Sequence, residues 1–352
     1  MAELWFWLVA LLVTGWAVLD GFDFGAGVLH RFVAKTDTER REVFAAIGPV
    51  WDGNEVWLLA AAGSMFLAFP KLVAAGLSGL YLPVIFALWC LILRGVGIEL
   101  RSHVPNPLWR AFFDMVFQVG STAFALLIGV ALGNVIRGVP LREDGFFEQG
   151  LFGGYELGEF TVHGAGAIDS YTGLVGVFVL LTLTAHGANY LRWKTSGAVN
   201  ERVARLAPRL WAAVIASWVL VTWATTQTAP EVLSALPHRP LAWLGMAVLA
   251  GGLGALMLAL LQKRELLAFL GSSAFIVGLL VATVACLYPV LLRSRVSPDF
   301  NLTIANASSG AIAMKSGLIW WFPGFLLAIG YFVWVLKYSR GKVTAARDGE
   351  GY

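Results

Sequence analysis

Nine apolar stretches, each long enough to cross a bilayer, leave this chain few ways to fold. They lie at about 4–29, 44–69, 72–93, 111–133, 171–191, 210–228, 241–261, 266–292 and 316–336. A hydrocarbon layer of about 30 Å is crossed by about 20 helical residues. Backbone in lipid must satisfy its own polar groups, and stretches of this length, without the in-out alternation of barrel strands, do so as helices. The sequence therefore predicts an all-α integral membrane protein, a single polytopic domain over 1–352. Only 13% of residues are charged and mean hydropathy is +0.74, whereas a soluble domain carries about a quarter charged residues. The formal net charge of +3 gives no reason to expect nucleic acid. The first stretch has no basic leader and no small-residue cleavage site, so it reads as a retained helix. No connection is long enough for a separate soluble domain, and no internal repeat or glycine-rich phosphate loop is present.

Lys and Arg in alternate connections set an orientation. Connections after the first, third, fifth, seventh and ninth stretches hold 18 basic residues and the others hold 7. This excess predicts those five on the cytoplasmic side, the N-terminus outside, and the C-terminal Lys337, Arg340, Lys342 and Arg347 inside. Trp5, Trp7, Trp109, Trp193, Trp243, Trp320 and Trp321 fall near stretch ends, where amphipathic rings favour the interface. The longest connection, 134–170, carries Glu143, Asp144, Glu148, Glu156, Glu159 and His163, and the charge count puts it outside.

The expensive residues are the acids inside the stretches. An Asp at the centre of a membrane helix costs about 2.5–3.5 kcal/mol on insertion scales, so it needs a partner, water or a function. Asp20 and Asp23 lie in LDGFDFGAG, and Asp52 and Glu55 in GPVWDGNEVWLL. Each pair is spaced i, i+3, on one face of a helix. Asp20 precedes Arg31 by 11 residues and Asp52 follows Arg41 by 11, so both are expected roughly 16 Å inward of the basic residues at 1.5 Å per residue. The four carboxyls then read as a graded path inward from the cytoplasm, with Asn54 as a hydrogen-bonding bridge and Trp51 and Trp57 as walls. The bland reading is that aspartates beside Gly21, Gly25, Gly48, Pro49 and Gly53 bond backbone amides freed at helix breaks.

The remaining candidates read as structural. His186 in HGANYL is expected as a hydrogen-bonded interior residue, with His30, His103, His163 and His238 in connections or at stretch ends. Glu99 and Arg101, beside Arg94, are expected to form an interfacial ion network, and Asp114 to pair with Arg110 at i, i+4. Cys90 and Cys286 sit in apolar surroundings, and with Met65, Met115, Met246 and Met257 read as packing. No metal site is expected. The small residues of GFDFGAG and AAGLSGL read as points of close helix approach.

The stretches LDGFDFGAGVLHRF, IGPVWDGNEVWLLAAAGSMFLAFP, RGVGIELRS, GNVIRGVP, HGANYL and SSGAIAMKSGLIWWFPGFLL together resemble subunit II of the cytochrome bd-type quinol oxidases, the prokaryotic terminal oxidases that reduce dioxygen to water. WDGNEVW after a DGFD hairpin is the most specific of these, and the set runs over nearly the whole chain. The resemblance implies nine transmembrane helices, arranged as two four-helix bundles plus one, in the cytoplasmic membrane. It implies a heterodimer with subunit I, which holds two haems b and one haem d and the quinol-oxidising loop, while subunit II binds no haem and supports assembly. It leaves room for a structural quinone in this chain and for small single-helix accessory subunits. It also associates the positions of Asp20 and Asp52 with a proton path toward haem d. Glu55 occupies a position that is not always acidic in the family, and Gln also occurs at the position of His186.

Two functions follow from the residues. In the first, the chain is a non-redox subunit of a membrane oxidase, lending an interface and a proton route to a catalytic partner. In the second, it is a proton-coupled secondary transporter with a midplane site between broken helices. The cytoplasmic depth of the acids and the lack of a matching interrupted pair in the second half favour the first.

Overall fold

The computed structural model describes residues 1–152 and 166–343. Glu156, Glu159, His163 and Arg347 lie outside them. The first stretch forms α1 (Ala2–Leu19) and α2 (Gly21–Val33), interrupted at Asp20 but passing as one span. A capping box, in which Thr36 and Glu39 satisfy each other's backbone amides, opens α3 (Asp37–Ile47) in the connection that follows.

The second and third stretches differ from the expected boundaries. α4 (Trp51–Ala68) runs to a break at Phe69, and α5 (Pro70–Gly79) leaves it at 115°. Pro70 cannot donate the amide that would continue α4 and starts a new helix instead. α6 (Tyr81–Leu100) then forms the next span. The others follow their stretches, mostly with longer ends: α7 (Pro107–Arg137), α8 (Ser170–Lys194), α9 (Gly197–Thr228), α11 (Pro240–Gln262), α12 (Glu265–Leu287), which stops short of the expected 292, and α13 (Ala311–Tyr338), with the short α10 (Pro230–Ser234) between α9 and α11. β1 (Val290–Leu292) and β2 (Leu302–Thr303) pair antiparallel before α13. Among the described residues, eight helices are long and apolar enough to span a membrane, and nine spans result if the bent α4–α5 pair is one.

Small residues set the closest packing. A Cβ on Gly278 of α12 would stand 2.3 Å from the Leu249 amide nitrogen of α11, and one on Gly25 of α2 would stand 2.0 Å from the Leu183 carbonyl oxygen of α8. Without a hydrophobic drive between helices in lipid, such backbone approach is a main source of association. GFDFGAG therefore behaves as expected. In AAGLSGL, Gly79 meets Phe147 but Gly76 faces open space. α8 is the most enclosed of the spans. α13 is the least covered and is held chiefly at its ends: Ser309 bonds the Ala68 and Leu67 carbonyls, Trp5 Nε1 donates to Met314, and Val343 and Lys194 join beyond its last turn.

Candidate functional site

The break between α1 and α2 has a cause outside those helices. His186 of α8 reaches the Val18 carbonyl through Nε2 at 3.0 Å and Ser272 Oγ of α12 through Nδ1 at 2.8 Å. A carbonyl only accepts, so Nε2 carries the proton and Nδ1 accepts from Ser272. A side chain drawing on a carbonyl of a helix's last turn, just before a glycine, interrupts the ladder there. Asp20 occupies the gap and Asp23 lies in the first turn of α2.

Into this gap projects Arg94, which the apolar-stretch boundaries had put in a connection. It sits well inside α6 with no exposed surface, as do Asp20 and Asp23. Its Nη2 lies 2.5 Å from Asp20 Oδ1 and its Nη1 3.2 Å from Asp20 Oδ2, while Trp16 Nε1 donates to Asp20 Oδ2 at 2.9 Å. Arg94 is also 3.8 Å from Asp23 Oδ2 and 3.7 Å from Glu55 Oε2. Its guanidinium lies over the Phe24 ring at 4.2 Å and 6.0 Å from the Trp51 ring centre. Asn54 Nδ2 donates to Asp23 Oδ2 at 2.7 Å. A buried charge of this kind persists only if paired and hydrogen-bonded.

The expected convergence of Asp20 with Asp52 does not occur. Asp52 is exposed, on the wall of a groove of about 890 Å³ between α4 and α13 that Trp57, Trp320 and Tyr331 also line. Asn54 stands about 200° around the helix from Asp52 at 100° per residue, so when Asn54 faces Asp23, Asp52 faces away. Glu55 lies between them in angle and is half-buried, its side chain 25% exposed. The site thus grades from sealed (Asp20, Asp23) through Glu55 to the open groove at Asp52. Trp57 closes one side, packing on Gly15, Phe325 and Phe332.

A second charged cluster corrects two further expectations. Asp114 does not pair with Arg110. It accepts from Arg101 Nε at 2.6 Å and Arg40 Nη1 at 2.9 Å, and meets His30 Nε2 at 2.6 Å. Arg110 and Arg101 both reach Asp37, at 2.9 and 2.7 Å. Arg94 and Arg101 therefore serve two separate clusters rather than one interfacial network. His30 lies in the last turn of α2, at the end of its stretch as expected, and is fully buried there. Outside the spans, Glu39 of α3 accepts from Arg202 at 2.7 and 3.1 Å and from the Lys35 and Thr36 amides. The Arg202 hydrogen bonds hold its carboxyl down at about 2. Arg94 carries a signal in the sequence: an unbroken apolar run precedes it and Gly95 and Gly97 follow it, while the acids of the two preceding spans lack a cation.

Comparison with known proteins gives a consistent pattern. The family model for cytochrome bd terminal oxidase subunit II matches residues 1–338. The chain is 30% identical to cytochrome bd-I ubiquinol oxidase subunit 2 of Escherichia coli K12, covering 97% of this chain and 94% of the relative. It is 31% identical to cytochrome bd ubiquinol oxidase subunit 2 of Bacillus subtilis, covering 97% and 96%. Its fold is similar to that of a chain in the bd oxidase of Geobacillus thermodenitrificans, with a TM-score of 0.75 at 18% identity over 96% of this chain and 98% of that one.

Proposed function

The chain belongs to the cytochrome bd terminal oxidase subunit II family, and from that premise we propose that it lends a haem-bearing subunit I both a packing face and a proton route. It is a multi-pass protein of the bacterial inner membrane and a subunit of an oxidoreductase complex that carries haem.

The observation that carries the proton route is the buried cluster of Asp20, Asp23, Glu55 and Arg94, which leads by way of Glu55 to Asp52 on an open groove. With the N-terminus outside, as the basic residues suggest, the α3 end faces the cytoplasm and supplies protons. Glu55 and Asp52 pass them to the face that subunit I covers. Oxygen reduction next door consumes them, and quinol releases protons on the opposite side, so a membrane potential builds without a pump. We further propose that the spans divide into two groups of four, with α1–α2, α4, α6 and α7 in one, α8, α9, α11 and α12 in the other, and α13 outside both. The sparsely covered α13 and the exposed Val56, Leu59, Trp89 and Ile92 of α4 and α6 offer the packing face that aids assembly.

We assign the haems to subunit I. Haem needs an axial ligand, and the two histidines buried in these spans are already engaged. His186 uses both ring nitrogens, and His30 is bound to Asp114 and wedged between Phe44 and Phe117. The test is Asp52→Asn in the assembled complex. Quinol-driven oxygen consumption should slow while haem content stays at its normal level. Unchanged turnover across the accessible pH range would remove Asp52 from the route.

A further inference from the structure

The four groups of the buried cluster are not equivalent, and their hydrogen bonds separate them. Every partner of Asp20 is a donor: two guanidinium nitrogens and the Trp16 indole. A carboxylic O–H there would find no acceptor among them, so Asp20 is a fixed anion matched to Arg94. Asp23 differs. It takes one hydrogen bond from Asn54 Nδ2, and its second oxygen, Oδ1, is buried without a partner. Asn54 Oδ1 is also buried without a partner. Two orphaned acceptors therefore belong to one acid–amide pair, and each buried polar atom left unmade is costly.

One proton resolves both. Placed on Asp23 Oδ1, it supplies a donor for Asn54 Oδ1, and the two side chains close a head-to-head carboxylic acid–amide pair. It also corrects the charge. Three carboxylates around one guanidinium would leave two uncompensated negative charges in or beside a sealed site, whereas a neutral Asp23 leaves Asp20 and Arg94 balanced, with Glu55 toward the groove. The other titratable group facing Asp23 is Tyr190 of α8, whose hydroxyl donates to Ala46. We propose that Asp23, paired with Asn54, holds the exchangeable proton of this cluster, while Asp20 is the permanent counter-ion of Arg94. When the proton moves on, Asp23 becomes the carboxylate and Glu55 the acid, and the charge of the site does not change.

This assignment rests on the proton-route reading but is tested apart from it. Infrared spectra of the assembled complex at neutral pH should show a protonated-carboxyl C=O band that Asp23→Asn removes and Glu55→Gln leaves. Asn54→Leu, which keeps Asp23 but removes its amide partner, should shift the band to higher frequency. The proposal is overturned if wild type has no such band, or if the band survives Asp23→Asn or ignores Asn54→Leu. Turnover and proton uptake are read separately. A band that follows Asp23 with turnover unchanged sinks the route and keeps the assignment; slowed turnover with an unmoved band does the reverse.

Discussion

At the scale of single residues, the acids sealed inside the spans, Asp20, Asp23 and Asp114, are each met by a counter-charge from another part of the fold. Arg94 comes from α6 to acids on α1–α2 and α4, and Arg101 from the end of α6 region to Asp114 on α7. Removing one member of a buried pair strands the other, at about 3–5 kcal/mol. Arg94→Gln should therefore reduce the yield of assembled complex and lower its unfolding midpoint, and Asp20→Asn on top of it should recover part of the loss because the fully buried Asp20 charge is then no longer stranded. A double variant no better than Arg94→Gln alone would mean that packing over Phe24, not charge, is what Arg94 contributes.

At the scale of elements, small side chains decide how near two helices approach, and polar contacts decide where one breaks. The α11–α12 pair shows the first effect. Gly278 has the Leu249 amide nitrogen and Gly245 carbonyl oxygen where a Cβ would go, at 2.3 and 2.5 Å, while Gly254 faces nothing within 4 Å. Gly278→Ala should therefore destabilise the protein, by about 1–3 kcal/mol for overpacking against backbone. Gly254→Ala should be neutral or slightly stabilising, since alanine is the better helix former. Unfolding midpoints in detergent compare the two, and equal effects would show that the helices separate easily. The α1–α2 break shows the second effect, since the imidazole that draws on Val18 belongs to α8, more than 160 residues further along the chain.

At the scale of the whole molecule, the α3 end is laced together by charged side chains that cross between distant parts of the chain. Glu39 joins α3 to Arg202 of α9, and Lys342, beyond α13, joins Glu265 at the start of α12 at 2.8 Å. Glu39 titrates near 2 in the folded protein against about 4.5 unperturbed. Its folded value is the lower one, so its contribution is present above about 4.5 and is lost as pH falls from there toward 2. The protection of amides 36–47, measured against their intrinsic exchange rate at each pH, should fall over that interval, and Glu39→Gln should flatten the change. Protection equally pH-dependent in the variant would assign the effect to another carboxylate.

Much of this was legible in order along the chain. A count of eight or nine spans, the tight approach at Gly25 and the interior, hydrogen-bonded character of His186 follow from local composition, because lipid penalises bare backbone and lone charge wherever they occur. What could not be read was pairing. Arg94 lies 74 positions from Asp20 and Asp114 lies 84 from His30, so Arg94 looked like the first basic residue of a connection and Asp114 looked suited to the nearer Arg110. Nor could the facing of Asp52 be read, because its depth follows from counting residues but its direction follows from how α4 is turned against α2 and α13. Depth is a one-dimensional property of a membrane chain and is written in its sequence; rotation and partnership arise only when the helices pack.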